Sequence, residues 1–466
     1  LNVHILSNSP IRVNSGFGIV CRNLALGLSR LGHCVSVSDM QNIYNVQRWN
    51  GITIYPMNSV EGATGGNFYI SEMRQFIANL KDSSAEVVII VYPTYDNVVV
   101  SNRLHEVLKK TIWYYPVDGA NISASAFKEL EKVSKVVPMT KDGKRELEKS
   151  GKLRNITREI YHGFDENVFY KIGRGDGKGD GKSGEDSDLE YHYCKWSTDK
   201  HQLTQDPKVL CKRGCFRCMG KLVGCKHFEE ENITANLRGE TYKGVVGNLG
   251  LLKDQFGVEC VFGFTGENAS DRKKIDRLLC SYGMLCKSDS RYKKETMLLM
   301  HTMPVSNSGL NLWDYIKKYD LVGANILFVY GEDELGNSWS DRALNVMYNS
   351  IDVNVSASGA EGFGLPTMES MAVGKPQIAP RFSSFIELVG SEGEGRGMLA
   401  DIEGYEELEN GLKRALVSPK SMGRLMGEMV DGKGLVEEMS KNAYNWSRAY
   451  TWSNICSEFD SVIKSV

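Results

Sequence analysis

Residues 361–376 read Glu-Gly-Phe-Gly-Leu-Pro-Thr-Met-Glu-Ser-Met-Ala-Val-Gly-Lys-Pro. They follow a short strand-like run, Val353-Asn354-Val355-Ser356. Gly362 and Gly364 leave their backbone amides uncovered. Pro366 suits the first position of a helix, where its missing N–H would have no partner. Glu369 then falls in the first turn, and Gly374 stops the helix. A strand, a bare-amide loop and a helix N-terminus together make a place for a phosphate. Glu361 and Glu369 flank that place. Carboxylates do not bind phosphate, but they accept hydrogen bonds from hydroxyls such as those of a sugar and a ribose. The competing reading is an ordinary Gly-x-Gly turn with both glutamates solvated or ion-paired.

Outward from this stretch, strand and helix signals alternate. Val3–Ser7 is a short apolar run, followed by Ser15-Gly16-Phe17-Gly18 and a helix over roughly 19–31. Val87–Tyr92 and Thr111–Tyr115 are continuous apolar runs, as in parallel strands covered on both faces. Val133–Met139 and Ile156–Tyr161 read as later strands, with a polar helix over 141–150 between them. Alternation resumes at Val258–Phe264, then helix 271–282, strand 296–301, helix 311–318, strand 325–329, helix 340–348 and strand 351–355. Gln377–Ala379 is a further strand, and 404–415 and 434–464 are helical by pattern. The fold class is therefore α/β, two Rossmann-like domains facing a cleft. Ligands in such folds lie at the carboxyl ends of the strands, where both glycine loops, 15–18 and 362–364, fall.

A chain of 466 residues with 41% apolar side chains supports two or three domains. Lys plus Arg is 56 against 58 for Asp plus Glu, a net charge of −2. A surface basic throughout is excluded, so any nucleic-acid or membrane contact requires a local patch. No apolar run approaches the ~18–20 residues needed to span a bilayer. The N-terminal residues Leu1–Leu6 read as a strand and not as a signal peptide, so a cytoplasmic protein is expected.

Between the two α/β halves, residues 171–257 break the pattern. The first twenty are rich in Gly, Lys and Asp, with almost nothing to bury, and read as a linker or disordered arm. A Cys-rich module follows. Cys211, Cys215, Cys218 and Cys225 have spacings that can close on one structural Zn²⁺, with His192, Cys194, His201 and His227 as spare ligands. Unpaired thiols on a loop, or disulfides, are the alternatives. Lys208, Lys212, Arg213, Arg217, Lys221 and Lys226 stand between 208 and 226 with no acid among them. That charge suits nucleic-acid phosphates or another anionic polymer, or else a solvated shell around a metal knuckle. The resulting division is 1–168, 171–257 and 258–446, with a last helix, 447–466, returning to the first domain.

The block 361–376 resembles the nucleotide-sugar signature of family 4 glycosyltransferases, which have the GT-B fold. Ser7-Asn8-Ser9-Pro10 leading to Ser15–Gly18 is similar to the family's N-terminal glycine loop. Tyr115-Pro116-Val117-Asp118-Gly119 resembles a cleft segment, and Ile160-Tyr161-His162-Gly163-Phe164-Asp165 the hinge. Phe262–Gly266 and Arg272–Asp276 resemble the first strand and donor-phosphate segment of the second domain. The resemblance covers 1–170 and 258–466.

It implies a retaining transferase, hexosyltransferase-like, using a UDP- or GDP-sugar without a catalytic metal. Glu361 would hold sugar hydroxyls and Glu369 ribose hydroxyls. Gly16, Gly18, Gly362, Phe363, Gly364 and Leu365 would line the donor. Arg272 and Lys273 would stabilise charge growing on the departing diphosphate. Asp118 would orient the acceptor hydroxyl or assist as base, or is simply a turn residue; His162 reads as structural. One position departs from the pattern: where many members have an Arg after the strand glycine, this chain has Glu267. The rival readings are an epimerase or phosphorylase on the same fold, and a nucleic-acid-binding protein with a vestigial transferase site. The two can merge if the acceptor is a base in DNA or RNA.

Overall fold

The computed structural model describes residues 1–7, 9–39, 45–57, 70–91, 110–149, 151–172, 232–237, 240–245, 252–269, 271–331, 339–390 and 395–466. The Cys-rich module, with Cys211, Cys215, Cys218 and Cys225, lies outside them, as does most of the linker.

The first domain is built on strands β1 (Asn2–Ser7), β2 (Cys34–Asp39), β3 (Gln47–Trp49), β4 (Ile52–Pro56), β5 (Val87–Val91), β6 (Thr111–Tyr115) and β7 (Lys135–Pro138), in the order β3-β4-β2-β1-β5-β6-β7. All neighbours are parallel except β3 with β4. β5 and β6 are buried along their whole length, which is why they read as unbroken apolar runs. Strand order reverses across β1 and β5, so the loop after β1 opens into a crevice. That loop ends at Ser15, whose side chain accepts from the Gly18 amide and starts the helix Gly16–Arg30.

The second sheet comprises β8 (Asn232–Leu237), β9 (Glu240–Val245), β10 (Cys260–Thr265), β11 (Thr296–His301), β12 (Ile326–Gly331), β13 (Val353–Val355), β14 (Gln377–Pro380) and β15 (Gly397–Ala400), in the order β15-β14-β13-β10-β11-β12-β8-β9. Its reversal falls at β10, between β13 and β11. The sheet extends past the expected boundary at 258. β8 pairs antiparallel with β12, and β9 with β8, so residues 232–237 and 240–245 belong with this sheet and not with the insertion. Their sequences, Asn232–Leu237 and Glu240–Val245, mix polar and apolar residues and lack the apolar run that marks a central parallel strand.

Two local expectations are corrected and a third, the helical C-terminus, holds with a break in it. Residues 404–415 are not helical: β16 (Ile402–Glu407) and β17 (Lys413–Val417) form an antiparallel hairpin. Leu408 O accepts from Gly411 N at 2.8 Å and Gly411 has φ +81°, the geometry of a tight hairpin loop. Residues 434–464 form two helices, Lys433–Ser447 and Trp452–Ile463. Between them the chain pairs with the hinge: Phe164 N donates to Tyr450 O, and Trp452 N to Phe164 O, both at 3.1 Å. Thr451 then caps the last helix, which packs on Gly16–Arg30 of the first domain. Residues 156–161 make one bridge, Val136 with Ile156, and no strand.

Candidate functional site

Both domains present strand ends to one place. From β10, the 3₁₀ turn Asp271–Lys273 delivers Arg272 and Lys273. From β13, the segment 356–364 delivers Glu361, and from β6 the segment 116–119 delivers Asp118.

Glu361 is the centre of this arrangement and only 9% exposed. Its Oε1 accepts from Lys273 Nζ at 2.7 Å and from Ser358 Oγ at 2.8 Å. Its Oε2 accepts from Arg272 Nη1, which also donates to Ala360 O at 3.0 Å. Burial alone would raise the Glu361 pKa, but Arg272 and then Lys273 outweigh it and hold the carboxyl down at about 2. Asp118 lies 3.8 Å from Arg272 Nε and 4.0 Å from Arg414 Nη2. Burial raises its pKa against the pull of both guanidiniums. Three cations and two carboxylates thus meet between the domains. Arg272 and Lys273 are the cations that Glu361 holds in place there.

Beside this cluster starts the helix Leu365–Ala372, with Gly364 as its cap at φ +108°. That left-handed backbone is one that only glycine adopts without strain. The amides of Phe363, Gly364 and Leu365 find no acceptor among the described residues, as at any uncapped helix N-terminus. Pro366 is the second helical residue, so Glu369 sits one position deeper than the sequence reading placed it, just past the first turn. The helix ends in a Schellman motif: Gly374 N donates to Met371 O and Lys375 N to Ser370 O, both at 2.9 Å. Gly362 abuts the first domain, where an added Cβ would meet Pro116 Cβ at 2.8 Å. Gly16 faces Leu365, whose Cδ1 would be 3.9 Å from a Cβ at Gly16. Gly18 packs behind it, against the carbonyls of Pro10 and Val13.

Glu369 is 4% exposed and accepts from Tyr348 Oη at 2.9 Å. Burial, with Asp341 adding to it, pushes its carboxyl up to about 8. Asp341 pairs with Arg22 of the first domain at 3.0 Å. The two glutamates therefore differ in kind: Glu361 is a clamped anion, while Glu369 is protonated at neutral pH. Phe363 is buried, its ring 4.7 Å from that of His162 and 5.8 Å from that of Tyr161. Its side chain fills the hinge, so only its amide faces the site. His162 is structural: its Nδ1 shares a 2.7 Å hydrogen bond with Tyr114 Oη, and burial lowers its pKa to about 3. Glu267, the departure from the family pattern, is exposed.

Sequence reasoning missed Ser358, Arg414 and Tyr348. Arg414 lay hidden in a segment read as helical, although Asn410-Gly411 signals a hairpin. Ser358 and Tyr348 carry no pattern that distinguishes them from ordinary core-edge residues. Among the described residues no group of three or more His, Cys, Asp or Glu side chains is placed to hold a metal ion. Nor is any described helix long and apolar enough to cross a membrane.

Residues 334–445 match the family described as Glycosyl transferases group 1. They contain Glu361, Glu369 and the bare-amide loop. An MMP alpha-(1->4)-mannosyltransferase from Mycolicibacterium hassiacum is 37% identical over 86 residues, 18% of this chain. The chain spans only 21% of that relative's length. Among solved structures, a sucrose-phosphate synthase from Thermosynechococcus elongatus aligns with a TM-score of 0.67 at 13% identity, covering 99% of this chain and 98% of the other. Anabaena HepE in complex with UDP-glucose aligns with a TM-score of 0.58 at 11% identity, covering 100% and 99%. An α,α-trehalose 6-phosphate synthase from Burkholderia multivorans aligns at 0.61 and 9% identity, covering 99% and 98%. The fold is GT-B.

Proposed function

We propose that the protein is a glycosyltransferase that moves a sugar from a nucleotide-sugar donor to an acceptor. The carrying observation is the juxtaposition of Arg272 and Lys273 with Glu361, beside the bare amides at the start of helix Leu365–Ala372. A donor diphosphate takes the cations and the amides. Negative charge that grows on it as the sugar leaves is then met by fixed positive groups. Glu361, released from part of its ion pairing, accepts from sugar hydroxyls. Glu369, once ionised, accepts from the ribose.

We read the reaction as retaining, without a catalytic metal, and the donor as a UDP- or GDP-sugar. The UDP-glucose complex of Anabaena HepE supports the uridine choice. Asp118, held between Arg272 and Arg414, orients the acceptor hydroxyl. The test is a panel of UDP- and GDP-sugars scored for protection against thermal unfolding, followed by product analysis with a labelled donor. Protection by none of them, with no labelled product, overturns the proposal. A product bearing the sugar still on its nucleotide, with inverted stereochemistry at one carbon, would mean an epimerase.

The acceptor reading rests on the basic Cys-rich module. Six Lys and Arg without an acid over 208–226 favour a nucleic acid, its base the sugar acceptor, with Cys211, Cys215, Cys218 and Cys225 holding a structural Zn²⁺. Metal analysis of the purified chain should return one zinc per molecule. Cys215→Ser with Cys218→Ser should abolish a gel shift of single-stranded nucleic acid while leaving donor protection intact. An unaltered shift in the zinc-free variant would remove the module from acceptor recognition.

A further inference from the structure

The hairpin β16–β17 is rooted in one domain and ends on the other. At its root, Ser418 N donates to Asp401 O at 2.8 Å, and midway along β17 Ala415 N donates to Gly359 O of the second domain at 2.9 Å. Arg277 holds Glu403 at 2.6 Å and Val417 O at 2.8 Å, and Lys274 holds Glu406 at 2.8 Å. At its tip, Lys413 and Ala120 exchange two backbone hydrogen bonds of 2.8 and 2.9 Å, and Asn121 Nδ2 donates to Gly411 O at 2.8 Å. Leu412 is buried against the first-domain segment 115–126. Between root and tip, Arg414 approaches Asp118.

The two attachments differ in strength. The root is covalently continuous with β15 and carries ion pairs. Among the described residues, the hold on the first domain is three hydrogen bonds, the Leu412 side chain and the 4.0 Å approach of Arg414 to Asp118. Beneath the hairpin lies the ion cluster: Gly359 N donates to Arg272 O at 2.8 Å, while its carbonyl accepts from Ala415. Glu361, Lys273 and Asp118 are largely covered in this arrangement, their side chains 11–14% exposed. Gly119 marks the docking point. A Cβ there would meet Leu412 Cγ at 2.6 Å and Lys413 O at 2.8 Å, and its three nearest neighbours all belong to the hairpin tip.

We propose that Ile402–Val417 is a detachable strap. Its tip leaves and rejoins the first domain, uncovering Arg272 and Lys273 when it leaves and returning Arg414 to Asp118 when it docks. This rests on the contacts between the domains and not on the transferase reading.

Hydrogen exchange of the full, unliganded chain tests it. The Lys413 and Ala120 amides should exchange at least about tenfold faster than the Ala415 amide, which is bonded to the second domain, tenfold being the scale of one net hydrogen bond. Gly119→Val should accelerate exchange at 120 and 413 while sparing Ala415. It should also raise the acetylation of Lys273 by acetic anhydride, read by mass spectrometry. The tip amides and Ala415 exchanging at one common rate would make the hairpin a fixed part of the fold and overturn the proposal. If Gly119→Val fails to fold, Asn121→Ala removes one tip hydrogen bond alone. Unchanged tip exchange in that variant overturns the proposal equally.

Discussion

Lys273 Nζ stands 2.7 Å from Glu361 Oε1, joining residues 88 positions apart in one buried ion pair. Arg272 grips the other carboxylate oxygen. Glu361 therefore occupies, in the unliganded protein, the two cations that a donor diphosphate would use. On the proposed function, donor binding would exchange one anion for another.

That exchange predicts opposite effects of Glu361→Gln on binding and on turnover. With the carboxylate gone, Arg272 and Lys273 are left for the ligand, and UDP should bind tighter by on the order of tenfold, ~1.4 kcal/mol. Transfer should slow, because the amide no longer accepts equally at both positions. Isothermal titration with UDP checks the first part. An unchanged or weaker affinity would show that Glu361 does not compete for these cations.

Lys273→Met should reduce the transfer rate by about 10²–10³, the range for losing one positive group aimed at developing charge. The same change leaves Glu361 facing Arg272 alone, so its carboxyl should titrate higher than its present value of about 2. Steady-state kinetics on folded protein is the measurement, with circular dichroism as the control for folding.

Glu369 has a folded pKa of about 8 against an ordinary 4.5. The folded state thus holds its proton more tightly than the unfolded state does. The stability tied to that proton is fully present below about 4.5 and is lost as pH rises toward 8. Glu369→Gln should flatten this decline, so its melting temperature should gain on the wild type between pH 5 and 8. A constant difference across that window would place the Glu369 titration elsewhere. UDP binding at pH 7 should also release a proton, seen as a dependence of binding heat on the buffer's ionisation enthalpy.

Glu387 of the second domain accepts from the Lys141 and Asp142 amides of the first, at 3.0 and 3.1 Å. It thereby caps the helix Lys141–Glu148 from across the domain boundary, and Tyr161 binds the same carboxylate. Glu387→Ala should cost about 1 kcal/mol as a lost helix cap. Differential scanning calorimetry should show a melting temperature lower by roughly 2–4 °C. An unchanged melting temperature would mean that water replaces the cap without loss.

Local chemistry was enough to read much of this protein. The unbroken apolar runs at β5 and β6 announced parallel strands, and Gly364, Pro366 and Gly374 announced a helix with open amides at its start. Those signals are carried by neighbours in the chain, so the α/β class and the glycine-led helix starts at 16 and 364 were legible. Tertiary structure alone decided the rest. It clamped Glu361 with cations 88 and 89 positions away, buried Glu369 beneath Tyr348, and turned 402–417 into a hairpin that brings Arg414 to Asp118. Charge state and partnership depend on burial and on which distant groups meet, and no stretch of sequence encodes either by itself.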